Sequence, residues 1–229
     1  MIRVKVLVEG QTEESFVNKL LADHLAQRGV LLTSILLTTK RVKNRDVRER
    51  AMPGRRFKGG ITTYSNVKLD VRSTLDDKQA IVTTMIDFYG LPGDFPGMNL
   101  LPPGNGYERV LHLEKAFADD IGIHRFRPFL ALHEYEALLF SCPKEIAAAF
   151  PEQTVEAPLQ AIRNEFASPE DINQGPTSHP AARIMNHVTG YRKPFHGTLI
   201  AERIGLTQIR SECSHFSEWV TWLESLASS

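Results

Sequence analysis

The sequence predicts an α/β fold: a mostly parallel sheet flanked by helices, with a helical appendage at its C-terminal end. Short β-branched runs alternate with segments of helical spacing in the first part of the chain, the texture of βα units. Dense Gly and Pro follow one of these runs, in "FYGLPGDFPGMNLLPPGNG", which marks a loop at a strand end. From Pro143 onward short helical patterns alternate with Pro and Gly. The expected division is therefore an α/β core over residues 1–142 and a helical subdomain over 143–229 packed on it.

Ile2 to Val8 alternates at Arg3 and Lys5 and then becomes continuously apolar, a strand whose far end is buried. From Thr12 the apolar positions Phe16, Leu20, Leu21 and Leu25 follow helical spacing, with Gly29 as the stop and Thr12, Glu14 and Ser15 offering capping chemistry. Val30 to Leu37 completes strand, helix, strand. Ser65 to Leu75 places Val67, Val71 and Leu75 on one side of a helix. Ala80 to Asp87 reads as a central strand ending in an acid. A helix from Tyr107 to about Phe117 follows, and the apolar run Phe126 to Phe140 carries His133, Glu134 and Glu136 before a helical turn. The chain closes on an amphipathic helix with Phe216, Val220 and Leu223 near one face and Trp219 and Trp222 beside it.

With 229 residues the chain is long enough for one sizeable core. Its 27 Lys and Arg balance 27 Asp and Glu, so attraction to nucleic acid has to be local. One stretch is strongly basic: nine Lys or Arg between Lys40 and Lys58 against Asp46 and Glu49. It is either a solvated charged loop or a phosphate-backbone surface made by Arg41, Lys43, Arg45, Arg48, Arg55, Arg56 and Lys58. Two cysteines, Cys142 and Cys213, argue against a disulfide framework and fit a reducing cytoplasm. No run has the pattern of a signal peptide or the length of a membrane span, which predicts a soluble, cytoplasmic protein.

Several apolar runs end in carboxylates: Glu9 after the first, Asp87 after the third, Glu134 and Glu136 after the fourth. In an open parallel sheet, ligands sit outside the carboxyl ends of the strands, so these acids are placed to converge. Clustered carboxylates repel one another unless they share a cation, and oxygen ligands suit Mg²⁺ or Mn²⁺. Such ions polarise phosphoryl oxygens and activate water, which makes a phosphodiester the natural substrate. Gly10 lets the chain turn sharply beside Glu9 and admits a ligand closely. Simpler roles stand beside these. Glu14, and to a lesser degree Glu13, is placed to complement a helix start, Asp87 to form a turn, His133 to sit hydrogen-bonded in the core and Glu136 to face solvent. There is no G-x-S-x-G elbow, no G-x-x-x-x-G-K-[ST] loop and no G-x-G-x-x-G. Cys213 with His215 is too sparse for zinc, and any nucleotide hydrolysis falls to a partner.

The "VEGQTE" at the end of the first strand, with "MID" closing a later one, resembles the Toprim fold of topoisomerases, bacterial primases and overcoming-lysogenization-defect (OLD) nucleases over roughly residues 1–140. The resemblance implies Glu9 as a metal ligand or general acid/base and Asp87 as the first acid of the second motif. Many Toprim proteins carry Asp-x-Asp there; this chain has "DFY", with Tyr89 in the second acid's place, so Glu134 or Glu136 would supply the missing ligand, or activity is lost. "EGQTEESFV", "TTMIDFYGLPGDFPG", "FRPFLALHEYEALLFS", "PEDIN" and "IRSECSHFSEWVTWL" together look like an uncharacterised bacterial family of unknown function with a Toprim-like core. Its members often have a Ser-Lys-Arg-type tripeptide where this chain has "SHPAARI", which keeps Arg183 without the lysine. The strand-end acids point to a Mg²⁺- or Mn²⁺-dependent nuclease with Glu9, Asp87 and Glu134, and next to them Glu136 and Glu13, around the metals, and the resemblance implies a character similar to defence-island and mobile-element nucleases. It further implies nucleic acid and an ATPase as partners, and is compatible with a homo-oligomer. A non-catalytic subunit on an inherited Toprim scaffold is the alternative, and a phosphotransferase or phosphatase acting on small nucleotides a third.

Overall fold

Val4, Val6 and Val8 of the first strand are buried on one side of the sheet and Leu7 on the other, because successive side chains of a strand point to opposite faces. The computed structural model describes residues 1–38, 61–172, 175 and 177–228. In it β1 (Ile2–Val8) lies between β2 (Val30–Leu36) and β3 (Ala80–Asp87), parallel to both. Two short strands, β4 (Phe126–Arg127) and β5 (Leu130–Ala131), follow one another along the far edge of β3, also parallel, giving the order β2-β1-β3-β4 with β5 beside the end of β3.

The continuous apolar run over 126–140 is thus not one strand. Pro128 has no N–H to give to a ladder, and the hydroxyl of Thr84 bridges the gap, accepting from the Phe129 amide at 3.0 Å and donating to the Phe129 carbonyl at 2.9 Å. The first helix also differs in detail from a plain helix. It comprises α1 (Gln11–Phe16), a π-helical turn over Val17–Leu21 and α2 (Ala22–Ala26), and it stops where Gly29 takes φ 81°. The N-cap residue Gly10 has no side chain to cap the start, and it is Glu13, not the expected Thr12, Glu14 or Ser15, that reaches the amides of Gly10 and of its own residue.

α3 (Tyr64–Leu75) and α4 (Gly106–Ile121) cover the Leu7, Val82 and Ile86 face. α4 begins at an Asn105 and Glu108 capping box and runs a turn past Phe117 to Gly122. The opposite face receives Phe16, Val17, Leu21 and Leu25 of the first helix. Beside them pack residues of α5 (Pro143–Ala148), α6 (Glu156–Asn164), α7 (Pro180–His187), α8 (Thr198–Ile204), α9 (Leu206–Glu212) and α10 (Ser214–Ser225), in one buried cluster with Val4, Val6 and Val8. The C-terminal helices therefore complete a layer of the α/β sandwich. Trp219 shows how: its ring stacks on Phe129 at 4.4 Å, and its indole N–H donates to Thr83 Oγ1 at 3.0 Å. Among the described residues no helix is long and apolar enough to cross a membrane.

The helix after β1 covers one face, whereas α3 and α4 cover the other. The winding reverses between β1 and β3, which opens a crevice outside their carboxyl ends.

Candidate functional site

Glu9 follows β1 and Asp87 ends β3, so the two acids flank this crevice. Glu13 joins them from the first turn of α1 and is buried there. Gly10 has extended backbone (φ −146°, ψ −179°), so no sharp turn requires a glycine. Its value is space: a Cβ would lie 3.0 Å from Glu13 Oε2.

The other wall is the segment after β5. His133 adopts φ 65°, and its carbonyl accepts the Tyr89 amide at 2.9 Å. The Tyr135 amide donates to Asp87 Oδ1 at 2.9 Å, which binds the acid of β3 to the turn between Glu134 and Glu136. Glu134, buried, receives the Ala181 amide, His179 Nδ1 at 2.8 Å and Lys193 Nζ at 3.2 Å. The same Nδ1 faces the Ala182 amide at 3.4 Å, so this ring nitrogen is shared between the Glu134 carboxylate and the start of α7. Lys193 Nζ also donates to Glu136 Oε2 at 2.8 Å. Glu136 is buried, which corrects the solvent-facing alternative: its short helical turn packs inward beneath the C-terminal helices.

Among the described residues, five carboxylates thus share one neighbourhood with one ammonium. Burial, then Glu13, raise Glu9 to about 7, against the Asp87 amide and Lys193. Burial, then Glu13, Glu9 and Glu136, push Asp87 well above the ordinary aspartate range. Burial also raises Glu13, and raises Glu136 to about 7 although Lys193 opposes it. Burial works on Glu134 too, but Lys193, the Ala181 amide and His179 outweigh it and hold its pKa below the usual value. Burial disfavours the charge of Lys193, and the pull of Glu136 and Glu134 raises its pKa nonetheless. Protons in such a cluster belong to the group rather than to one residue.

The donor chemistry fits a hard divalent ion. Glu9 Oε2 is buried with no hydrogen-bond partner among the described residues, and burial and mutual repulsion hold Glu13 and Asp87 above the usual range although Lys193 opposes this. Among the described residues no three His, Cys, Asp or Glu side chains stand around a common point, so an ion would be shared only after the carboxylates of Glu9, Glu13 and Asp87 rotate toward it.

All five acids singled out from the sequence lie in this cluster, as their mutual pKa effects record. The basic set Arg41, Lys43, Arg45, Arg48, Arg55, Arg56 and Lys58 lies outside the described residues. Arg183 is engaged elsewhere, donating to the Ser178 carbonyl at 2.6 Å and lying over the Phe166 ring. Cys213 is buried against Ser141, and His215 pairs with Glu114 at 3.0 Å. Sequence reasoning missed Lys193, His179 and Tyr191. For Lys193, and for Tyr191 whose hydroxyl donates to Glu136 Oε1 at 3.5 Å, the one signal is the aromatic and cationic texture of "YRKPF", and for His179 it is the "SHPAARI" stretch; no spacing connects either with a strand end more than forty residues earlier.

The fold and site together define an α/β protein with a parallel sheet and an acid-rich cluster, pinned by one lysine, at the crevice where its winding reverses. The chain belongs to the family described as a domain of unknown function, DUF4276, whose model matches residues 8–224. No curated protein and no solved structure gives a significant match.

Proposed function

We propose that the chain is a Toprim-like nuclease that uses Mg²⁺ or Mn²⁺ to cleave phosphodiester bonds. The observation that carries this reading is the acid cluster at the β1/β3 crevice, where Glu9 presents a buried oxygen without a partner beside Asp87 and Glu13. Glu9, Asp87 and Glu13 would hold the metal. When bound, the ion polarises a phosphoryl oxygen and makes water a stronger nucleophile at neutral pH.

The chain's own groups supply the rest. Burial and Glu13 hold the metal-free Glu9 carboxyl above its ordinary range, so binding of the ion would displace a proton from it. Glu134 and Glu136 hold Lys193 in place, its side chain keeps 40% exposure, and its ammonium would meet a phosphate oxygen entering the crevice. The Arg41 to Lys58 set contributes cations for the strand backbone. The sequence has no phosphate-binding loop, so ATP hydrolysis in a defence assembly falls to a partner ATPase.

To test the reading, purified protein is incubated with DNA and with RNA in Mn²⁺, beside Glu9→Gln and Asp87→Asn. Cleavage is expected to fall by about 10²–10³-fold in each variant, the scale of losing one electrostatic catalytic group; cleavage that survives both substitutions sinks the assignment. A second reading rests on the Lys193 ion pairs and on the lack of three ready-placed ligands among the described residues. In it the chain is a non-catalytic Toprim-scaffold subunit that binds an ATPase or nucleic acid. Calorimetric titration with Mn²⁺ separates the two, because the subunit takes up no ion at this site.

A further inference from the structure

Among the described residues two large aromatic side chains lie within two residues of a cluster member and remain in solvent, Tyr89 after Asp87 at 46% exposure and Phe195 after Lys193 at 61%. Tyr89 sits two residues after Asp87 in the 3₁₀ turn Phe88–Gly90, held by the hydrogen bond its backbone N–H donates to the His133 carbonyl. One side of its ring stacks on His179 at 5.5 Å and 27°. His179 is fixed in turn on Glu134, and Glu134 on Lys193. Two residues past Lys193, Phe195 lies under the guanidinium of Arg192 at 5.6 Å. The next position after Tyr89 is Gly90, where a Cβ would stand 3.5 Å from both carboxylate oxygens of Glu9. Any side chain there would extend over that carboxylate; glycine leaves the path from Tyr89 to Glu9 clear.

An exposed tyrosine backed by a hydrogen-bonded imidazole has its orientation set and a π-face turned outward. Bases that lack a pairing partner stack on such rings without regard to sequence, whereas bases inside a duplex are already stacked on one another. Cations over or beside the rings add to this attraction. We infer that Tyr89, with Phe195 and Arg192 flanking Lys193 in sequence, forms a stacking platform that selects unpaired nucleotides, so that the substrate is single-stranded nucleic acid threaded past Glu9. The inference rests on the nuclease reading for the placement of the phosphodiester, but the platform acts in binding and is measured without cleavage.

The experiment is fluorescence anisotropy of the full chain with a dye-labelled oligothymidylate in Ca²⁺, compared with the same oligomer in a duplex and with an abasic oligomer of equal length. Single-strand binding is expected to exceed duplex binding by about tenfold or more, and Tyr89→Ala to weaken it by about tenfold, the scale of losing one base stack. Tyr89→Phe keeps the ring and should retain affinity, and on the abasic oligomer Tyr89→Ala should match wild type. Equal affinity for duplex and single strand overturns the inference. So does a Tyr89→Ala loss that persists on the abasic oligomer, or free thymidine monophosphate binding as tightly as the oligomer. If the platform results hold while the Mn²⁺ cleavage assay stays negative, it is the nuclease reading that fails.

Discussion

Lys193 is the cation through which Glu134 and Glu136 are tied together, and it decides how their charges are carried. Replacing it by Met leaves the buried Glu136 carboxylate without its ion pair, and breaking a buried pair from one side is costly. Solvent around the lysine side chain, which is 40% exposed, reduces that cost. Lys193→Met is therefore expected to destabilise the protein by about 2 kcal/mol at pH 8, with a smaller loss at pH 5, where Glu136 takes a proton instead. Urea denaturation at the two pH values measures this, and an equal loss at both would show that Lys193 acts through packing alone. Glu9 and Asp87 were legible in the sequence because each ends an apolar run, and a strand delivers its last residue to a known edge. Lys193 was not, since it reaches the site from the C-terminal part of the chain, in a π-helical turn over Lys193–Gly197 that no strand leads into.

At the scale of elements, β3 and α10 illustrate what fastens the C-terminal helices to the sheet. The Trp219 indole donates to Thr83 in the middle of β3, and both side chains are buried. Thr83→Val keeps the shape and strands the indole N–H, which costs about 1–3 kcal/mol. A urea midpoint that does not move would mean that α10 is docked by ring stacking and apolar burial only. The amphipathic spacing of Phe216, Val220 and Leu223 made this helix readable. Its docking partner was not readable, because an apolar stripe specifies that something covers it but not which strand does. The broken strand over 126–131 lay one step further off: Pro128 is visible in the sequence, but the Thr84 hydroxyl that repairs the ladder comes from a neighbouring strand.

For the whole molecule, the acid cluster makes stability depend on pH in a direction opposite to that of an ordinary salt-bridged carboxylate. Glu9 and Glu136 have an ordinary value of 4.5 and titrate at about 7 in the fold. Between those values the folded chain holds protons that the unfolded chain has released, so stability falls as pH rises from 4.5 through 7. Glu134, held below its ordinary value, contributes fully above 4.5 and loses its contribution only in more acidic solution. The melting temperature without divalent ions should thus decline from pH 5 to pH 8, and Glu9→Gln should flatten the decline. Mn²⁺ at about a hundred times its Kd should raise the melting temperature by about 5–10 °C at pH 8 and by much less at pH 5, where protons occupy the ligands. A scanning fluorimetry series in which Mn²⁺ has the same effect at both pH values, or none at either, would refute metal binding by these acids.

By itself the sequence determined the alternation of strands and helices, the apolar faces and the carboxylates set at strand ends, since periodicity and chain direction are local properties. Only the tertiary structure decided that Glu13, Glu134 and Glu136 join Glu9 and Asp87, that Lys193 and His179 stand among them, and that Tyr89 stays exposed at their edge. Those relations depend on which segments pack across the sheet, and packing brings together residues more than a hundred positions apart through buried area and charge that no local pattern encodes.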